Sequence, residues 1–361
     1  MAKDGMLSFM VMKGGLKDME NVKGTKRREM VEIHVYYYSG NTRQRQIRSA
    51  IDILNGAQNY FFFVLHPGRD SDVCEGAFVD WERFCTGQPK ETDEYSIYIT
   101  EKPFDDNWFS HEGSQYAVIT TDGWEKDFAP PSLGAYLVYQ IAQAVLNFAV
   151  DLNEEIGQKL FHASPKGCML DFCGDKSDIK LGMIAGSICP HCKADLLRYG
   201  INEEALDAIE RILVFVRAEA IGKPIVFDKD AAFVVMRFST NDENDNAYKY
   251  GIECALERLG IDCIRADNGI PTGQLLENIE RHIERSRFVI AKVDSNNLNV
   301  YFELGLAMGQ RKDVLLISEE SLVLRLPADL RNWKCLTYTK GNYEELRDNI
   351  VAYFRENYHY E

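Results

Sequence analysis

Beyond residue 225 the chain alternates short runs of β-branched and aliphatic residues with longer stretches whose apolar positions recur at helical spacing. Residues 232–237, 262–266, 288–293, 314–318 and 335–338 read as strands, and 247–259, 273–284, 300–310 and 343–357 as helices. Helices of about 10 to 15 residues between strands require crossovers, which make the strands parallel and cover both faces of the sheet. The expected fold of this part is α/β, with a flavodoxin-like parallel sheet of about five strands. Upstream the pattern is looser. Residues 32–38 and 60–65 read as strands around a helix at 45–54, and 95–100 and 116–121 as two more, separated by a polar and aromatic loop at 103–114. Pro130, Pro131 and Ser132 open a long apolar helix, because proline suits a first helical turn. A helix at 203–218 ends before the breakers Gly222, Lys223 and Pro224. Three segments follow: a flexible leader at 1–30, an α+β domain at 31–224 and the α/β domain at 225–361.

Composition narrows the partners. The 361 residues carry a net charge of -15, and apart from the short basic stretch at 23–29 no run of Lys and Arg offsets it, so nucleic acid is not an expected partner. The longest apolar run, at 135–150, is interrupted by Gln140, Gln143 and Asn147. It reads as a buried helix rather than a bilayer crossing, which needs about 20 clean apolar residues. The first residues lack the apolar run and cleavage site of a secretory signal, so a cytoplasmic location is expected.

Four of the nine cysteines stand at metal-ligand spacing: Cys168 and Cys173, then Cys189 and Cys192. Two such turns gather four thiolates, a closed tetrahedral cage that suits structural Zn²⁺, with His191 or His162 able to replace one thiolate. The segment at 167–196, GCMLDFCGDKSDIKLGMIAGSICPHCKADL, resembles the zinc-knuckle end of the archaemetzincin group of zincin metalloproteases. In that group the preceding helix carries HExxHxxGxxH, which holds a catalytic zinc. Here Tyr139, Gln140, Gln143 and Ala149 occupy those places if the long apolar helix is the counterpart, and Gly157, Gln158, Phe161 and Gly167 do so if the count runs back from Cys168. Neither set binds metal, so the resemblance implies a degenerate, inactive zincin-like domain. Gln140, Gln143 and Asn147 also form a polar stripe, which either satisfies neighbouring backbone or lines a pocket sensing a peptide or small molecule.

The strand at 288–293 ends in Lys292, Asp294 and Asn299, and the helix that follows carries Glu303, in the place beyond a strand end where open α/β sheets bind ligands. Residues 232–318 resemble the bacterial TIR-like and nucleoside 2-deoxyribosyltransferase-like superfamily. Its first-strand loop VMPF is matched at 235–238 with Arg237 replacing Pro, its RAD at 265–267 is intact, and its DLT-x2-NPNVFYELG block is matched at 292–305. In that block Lys292 replaces Asp, Asp294 replaces Thr, Leu298 replaces Pro and Phe302 replaces Tyr, while Glu303 is kept.

The resemblance implies that Glu303 is the catalytic carboxylate of N-glycosidic bond cleavage. Phe238, Ser239, Asp267, Asp294 and Asn299 are candidate substrate-binding residues, Asp267 and Asp294 also possible proton donors, and the loop at 237–246 can present Arg237 and backbone N–H groups to a phosphate or be a solvated acidic turn. Nicotinamide leaves NAD as a neutral molecule and needs no general acid, whereas a base leaving a nucleoside does. The expectation is an NAD or related nucleotide glycohydrolase, regulated by the inactive protease-like domain. Effectors of this superfamily are often antiphage NADases activated by assembly, which implies self-association and a ligand or protein sensed by the first domain. Deoxyribosyl transfer between bases and a non-enzymatic nucleotide-binding module are the alternatives. On its own, Glu303 would read as a first-turn acid complementing the helix dipole.

Overall fold

The computed structural model describes residues 30–66, 68–88, 94–150, 159–223, 228–237, 242–265, 275–293, 297–327, 330, 333, 335–358 and 360, with the backbone alone at 275–277 and 325. The leader at 1–29, the predicted boundary at 224–227 and the site residues Phe238, Ser239, Asp267 and Asp294 lie outside the described residues.

The first sheet is built from β1 (Val31–Tyr37), β2 (Phe61–Leu65), β3 (Tyr95–Thr100), β4 (Ser110–Glu112) and β5 (Tyr116–Thr120), in the order β2-β1-β3-β5-β4. Four strands are parallel, and β4 lies antiparallel to β5 at the edge. Sequence patterning left β4 inside a loop because its three residues, Ser-His-Glu, include no apolar position. Helix α1 (Gln44–Ala57) buries Ile47, Ala50, Ile51 and Leu54, the i, i+3, i+4, i+7 stripe of a helix lying on a sheet. After a short α2 (Trp81–Thr86), α3 (Leu133–Val150) is buried on almost every side and packs against α1 and α6 (Glu203–Ala220). It is the only described helix long and apolar enough to cross a membrane, and it lies in the interior of this half instead. Two short helices between them, α4 (Ile179–Ala185) and α5 (Pro190–Arg198), bracket the cysteine segment.

The second sheet contains β6 (Asp228–Val235), β7 (Asp262–Arg265), β8 (Ser286–Lys292), β9 (Asp313–Glu319) and β10 (Cys335–Tyr338). All its pairings are parallel, in the order β7-β6-β8-β9-β10. This is the flavodoxin-like order, with its topological switch point between β6 and β8. Side chains alternate between two cores, as strand geometry requires. Ala232, Val234 and Met236 face α7 (residues 243–259) and α10 (Tyr343–Tyr358), while Phe233 and Val235 face α8 (Leu275–Arg285) and α9 (Leu298–Gly309). Helix α7 starts as Glu243–Asn246, four residues before the predicted 247, and continues through a π-helical Ala247–Glu253 to Cys254–Leu259. The early start comes from Asp242, whose side chain accepts from the N–H groups of Asn244 and Asp245.

The two halves touch through polar contacts. Glu210 of α6 accepts both Arg311 nitrogens at 2.7 and 3.0 Å, Arg211 pairs with Asp313, and Asn59 donates to the Asn357 carbonyl at 3.2 Å.

Candidate functional site

Helix α9 brings Glu303 into the sheet's carboxyl end. Asn297 is its cap, accepting from the Asn299 N–H at 2.9 Å, so the helix begins at Leu298 rather than the predicted 300. Glu303 therefore lies in the second turn, with no acid in the first, which removes the simple dipole-complementing reading. It shares the buried face of α9 with Val300, Leu304 and Ala307 and is 8% exposed. Among the described residues no hydrogen bond or ion pair compensates it, and burial pushes its carboxyl up to about 7. Neighbouring Phe302 is half exposed, and Tyr301 donates to the Val293 carbonyl at 3.2 Å, tying the helix to the end of β8.

The switch point supplies a cation. Lys292, the last residue of β8, is 2% exposed and donates from Nζ to Asn244 Oδ1 at 2.9 Å, with the Tyr338 ring 5.8 Å away. Asn244 thus joins the candidate residues. Its signal in the sequence is Asp242 two residues earlier, a cap that marks a helix start. Arg237 follows β6 and is exposed, and Asn299 is exposed on α9. Arg265, at the end of β7, lies 3.9 Å from the Tyr248 ring centroid rather than in solvent. The described strand ends therefore present Arg237, Lys292 and Arg265, with Lys292 on the face of the sheet opposite the helix that carries Glu303.

The cysteine segment holds a second site. The ligand atoms of His162, Cys168, Cys189 and Cys192 lie within 4.8 Å of one another. A tetrahedral ion bound at about 2.3 Å spaces its sulfur ligands by about 3.8 Å, so three thiols and an imidazole in this arrangement suit Zn²⁺. His162 Nε2 stands 3.3 Å from Cys189 Sγ and 3.1 Å from Cys192 Sγ. Two local devices hold the set together: His162 bridges to Asp171, and Cys168 to Ser187. Cys189 caps α5, where Pro190 occupies the first turn. Burial raises the Cys189 thiol, but hydrogen bonds from the Cys192 N–H and from His162 outweigh it and leave it at about 7, near the thiolate a metal requires.

Cys173, expected as a ligand from its spacing, is not in this set. Its Sγ contacts the Asp171 carbonyl at 3.9 Å, and burial pushes the thiol up to about 11. The physical reason is that the chain pairs His162 with Asp171, which brings the imidazole to the cysteines and turns Cys173 toward a neighbouring cavity of about 400 Å³. The polar stripe of α3 lines the same cavity. Gln143 donates to the Met169 carbonyl at 3.5 Å and Asn147 to the Gly113 carbonyl at 3.0 Å, so these two satisfy backbone. Gln140 Oε1 is buried without a partner.

No family model and no curated protein matches the chain. Among solved structures it is similar to a zinc-dependent peptidase from Methanocorpusculum labreanum (14% identity, TM-score 0.28, covering 45% of this chain and 99% of that one). It is also similar to an archaemetzincin from Methanopyrus kandleri (11% identity, TM-score 0.30, 47% and 95%). A third likeness is the C-terminal domain of glucosamine-fructose-6-phosphate aminotransferase from Francisella tularensis (12% identity, TM-score 0.23, 91% and 84%).

Proposed function

We propose that the second half is an N-glycosidase of NAD or a related nucleotide, in which Glu303 carries the chemistry. The observation that supports this most is an acid buried in the α9 face beyond the end of β8, uncompensated among the described residues and held at about 7. Stability alone disfavours such a group, and desolvated carboxyls of this kind concentrate at working sites. In the ionised form Glu303 stabilises the positive charge that develops at the anomeric carbon as the C–N bond breaks. The bonding pair leaves on the nicotinamide nitrogen, which becomes neutral, and water attacks the carbon and releases a proton. Lys292, fixed by Asn244, and exposed Arg237 suit the phosphates of such a substrate.

A second reading, deoxyribosyl transfer between bases, draws on the same raised acidity, because a carboxyl near 7 is protonated often enough to donate to a departing base. The first half is read as an inactive, zincin-like regulator whose His162, Cys168, Cys189 and Cys192 hold a structural zinc with no open coordination position. Self-association is part of this reading. Incubation with NAD, and separately with deoxynucleosides plus a free base, at low and high protein concentration separates the activities. Nicotinamide release lost in Glu303→Gln supports the first reading, base exchange supports the second, and turnover retained by Glu303→Gln refutes both.

A further inference from the structure

The chain is strongly acidic, yet one of its cavities gathers positive charge. This space of about 910 Å³ lies between α6 and the amino ends of β8 and β9. Some of its cations are neutralised or tied to backbone: Arg211 pairs with Asp313, Arg311 with Glu210, and Lys312 donates to the carbonyls of Glu284 and Ser286 at 2.6 and 2.9 Å. Three more, Arg217 and Lys223 from one half and Arg281 from the other, have no ion-pair partner among the described residues, and Arg287 joins them from the second half. The remaining acids on the wall, Glu280 and Glu284, are exposed.

Arg287 is the most telling of the four. Its Nε is buried without a hydrogen-bond partner, one terminal nitrogen donates weakly to the Gln58 carbonyl at 3.4 Å, and Tyr360 and Asp230 lie near enough to offset part of its charge. The guanidinium lies over the Phe288 and Tyr358 rings at 4.8 and 5.5 Å, and burial lowers its pKa from the usual arginine range. Like charges gathered on the walls of one cleft repel one another and focus a field that attracts anions. On one side Phe215 and Ile221 add an apolar surface.

We propose that this cleft binds a di- or triphosphate group carried by a nucleotide, with the phosphates among Arg217, Lys223, Arg281 and Arg287 and the base against Phe215 and Ile221. The site is separate from Glu303, because it opens at the amino end of the parallel sheet and Lys292 marks the carboxyl end. A ligand held from both halves fixes one against the other. It therefore couples the first half to the second whatever reaction Glu303 performs.

The test is calorimetric titration of the full chain with ATP and with inorganic triphosphate, each at low salt and at about 0.5 M salt. Both probes are expected to bind one site, more weakly at high salt, with ATP the tighter. Arg281→Glu and Lys223→Glu should each weaken binding by about tenfold or more. Both side chains are exposed, so the unliganded unfolding midpoint should stay put. Phe215→Ala should remove the advantage of ATP, and Glu303→Gln should leave both affinities unchanged. No saturable binding of either probe at about 1 mM in low salt overturns the proposal. So does binding that the charge reversals leave intact or that Glu303→Gln abolishes, and equal affinity for the two probes overturns the nucleotide assignment.

Discussion

The stability of Glu303→Gln relative to the parent should increase as the pH rises. Glu303 is 8% exposed, and burial lifts its carboxyl from 4.5 to about 7. Below about pH 4 both folded and unfolded chains hold the proton and the shift costs nothing. Between the two pKa values the folded chain keeps a proton that the unfolded chain has released, so stability falls with rising pH. Above about 7 both are ionised and the full cost is present. At about 1.4 kcal/mol per pH decade the cost is about 1 kcal/mol at about pH 5 and about 3 kcal/mol at about pH 8. A buried amide carries its own hydrogen-bonding cost of about 1–2 kcal/mol, which does not vary with pH. The pH-dependent part therefore isolates the carboxylate. With about 2–4 °C of midpoint per kcal/mol, the difference between Glu303→Gln and the parent should grow by about 4–8 °C between those two pH values in thermal unfolding. A difference that is constant with pH, or that shrinks toward high pH, would refute the burial argument.

Nicotinamide release should rise with pH through about 7 in kcat/KM, since the ionised carboxyl is the active form; base exchange would instead fall above that value, because it uses the protonated form. Metal analysis of the purified protein should find one zinc per chain, lost in His162→Ala and in Cys189→Ser but kept in Cys173→Ser, and loss in the last variant alone would restore the four-cysteine set. Gly251→Ala should destabilise by about 1–3 kcal/mol in denaturant melts, because the new methyl would meet Leu346 Cγ at 2.9 Å where Leu346 is fully buried. A stabilised variant would mean that the helix-propensity gain of about 1 kcal/mol wins.

Periodicity made the second sheet legible, because β6, β8 and β9 are apolar on both faces and helices of regular length separate the strands. Parallel pairing then followed from the crossovers. Edge strand β4 and the short helices α4 and α5 were not legible, since each is too short to show a period. Spacing picked out three of the four residues that cluster here and offered His162 or His191 as a substitute for one thiolate; that His162 takes the place of Cys173 depends on its bridge to Asp171, which no local pattern shows. Glu303 was found from its motif, but its burial was not: that depends on Asn297 starting the helix early and turning position 303 toward the sheet. The basic cleft was invisible in sequence because its cations come from α6, α8, β8 and the turn after α9, and no run of them exceeds the acidic background.

The most direct test of the central claim is nicotinamide release from NAD, followed over a range of protein concentrations for the parent chain and for Glu303→Gln. The account predicts release that increases with assembly in the parent and is lost in the variant while both stay folded and retain zinc. Release that survives in Glu303→Gln, or a parent that exchanges bases between deoxynucleosides yet leaves NAD intact at every concentration, would contradict it.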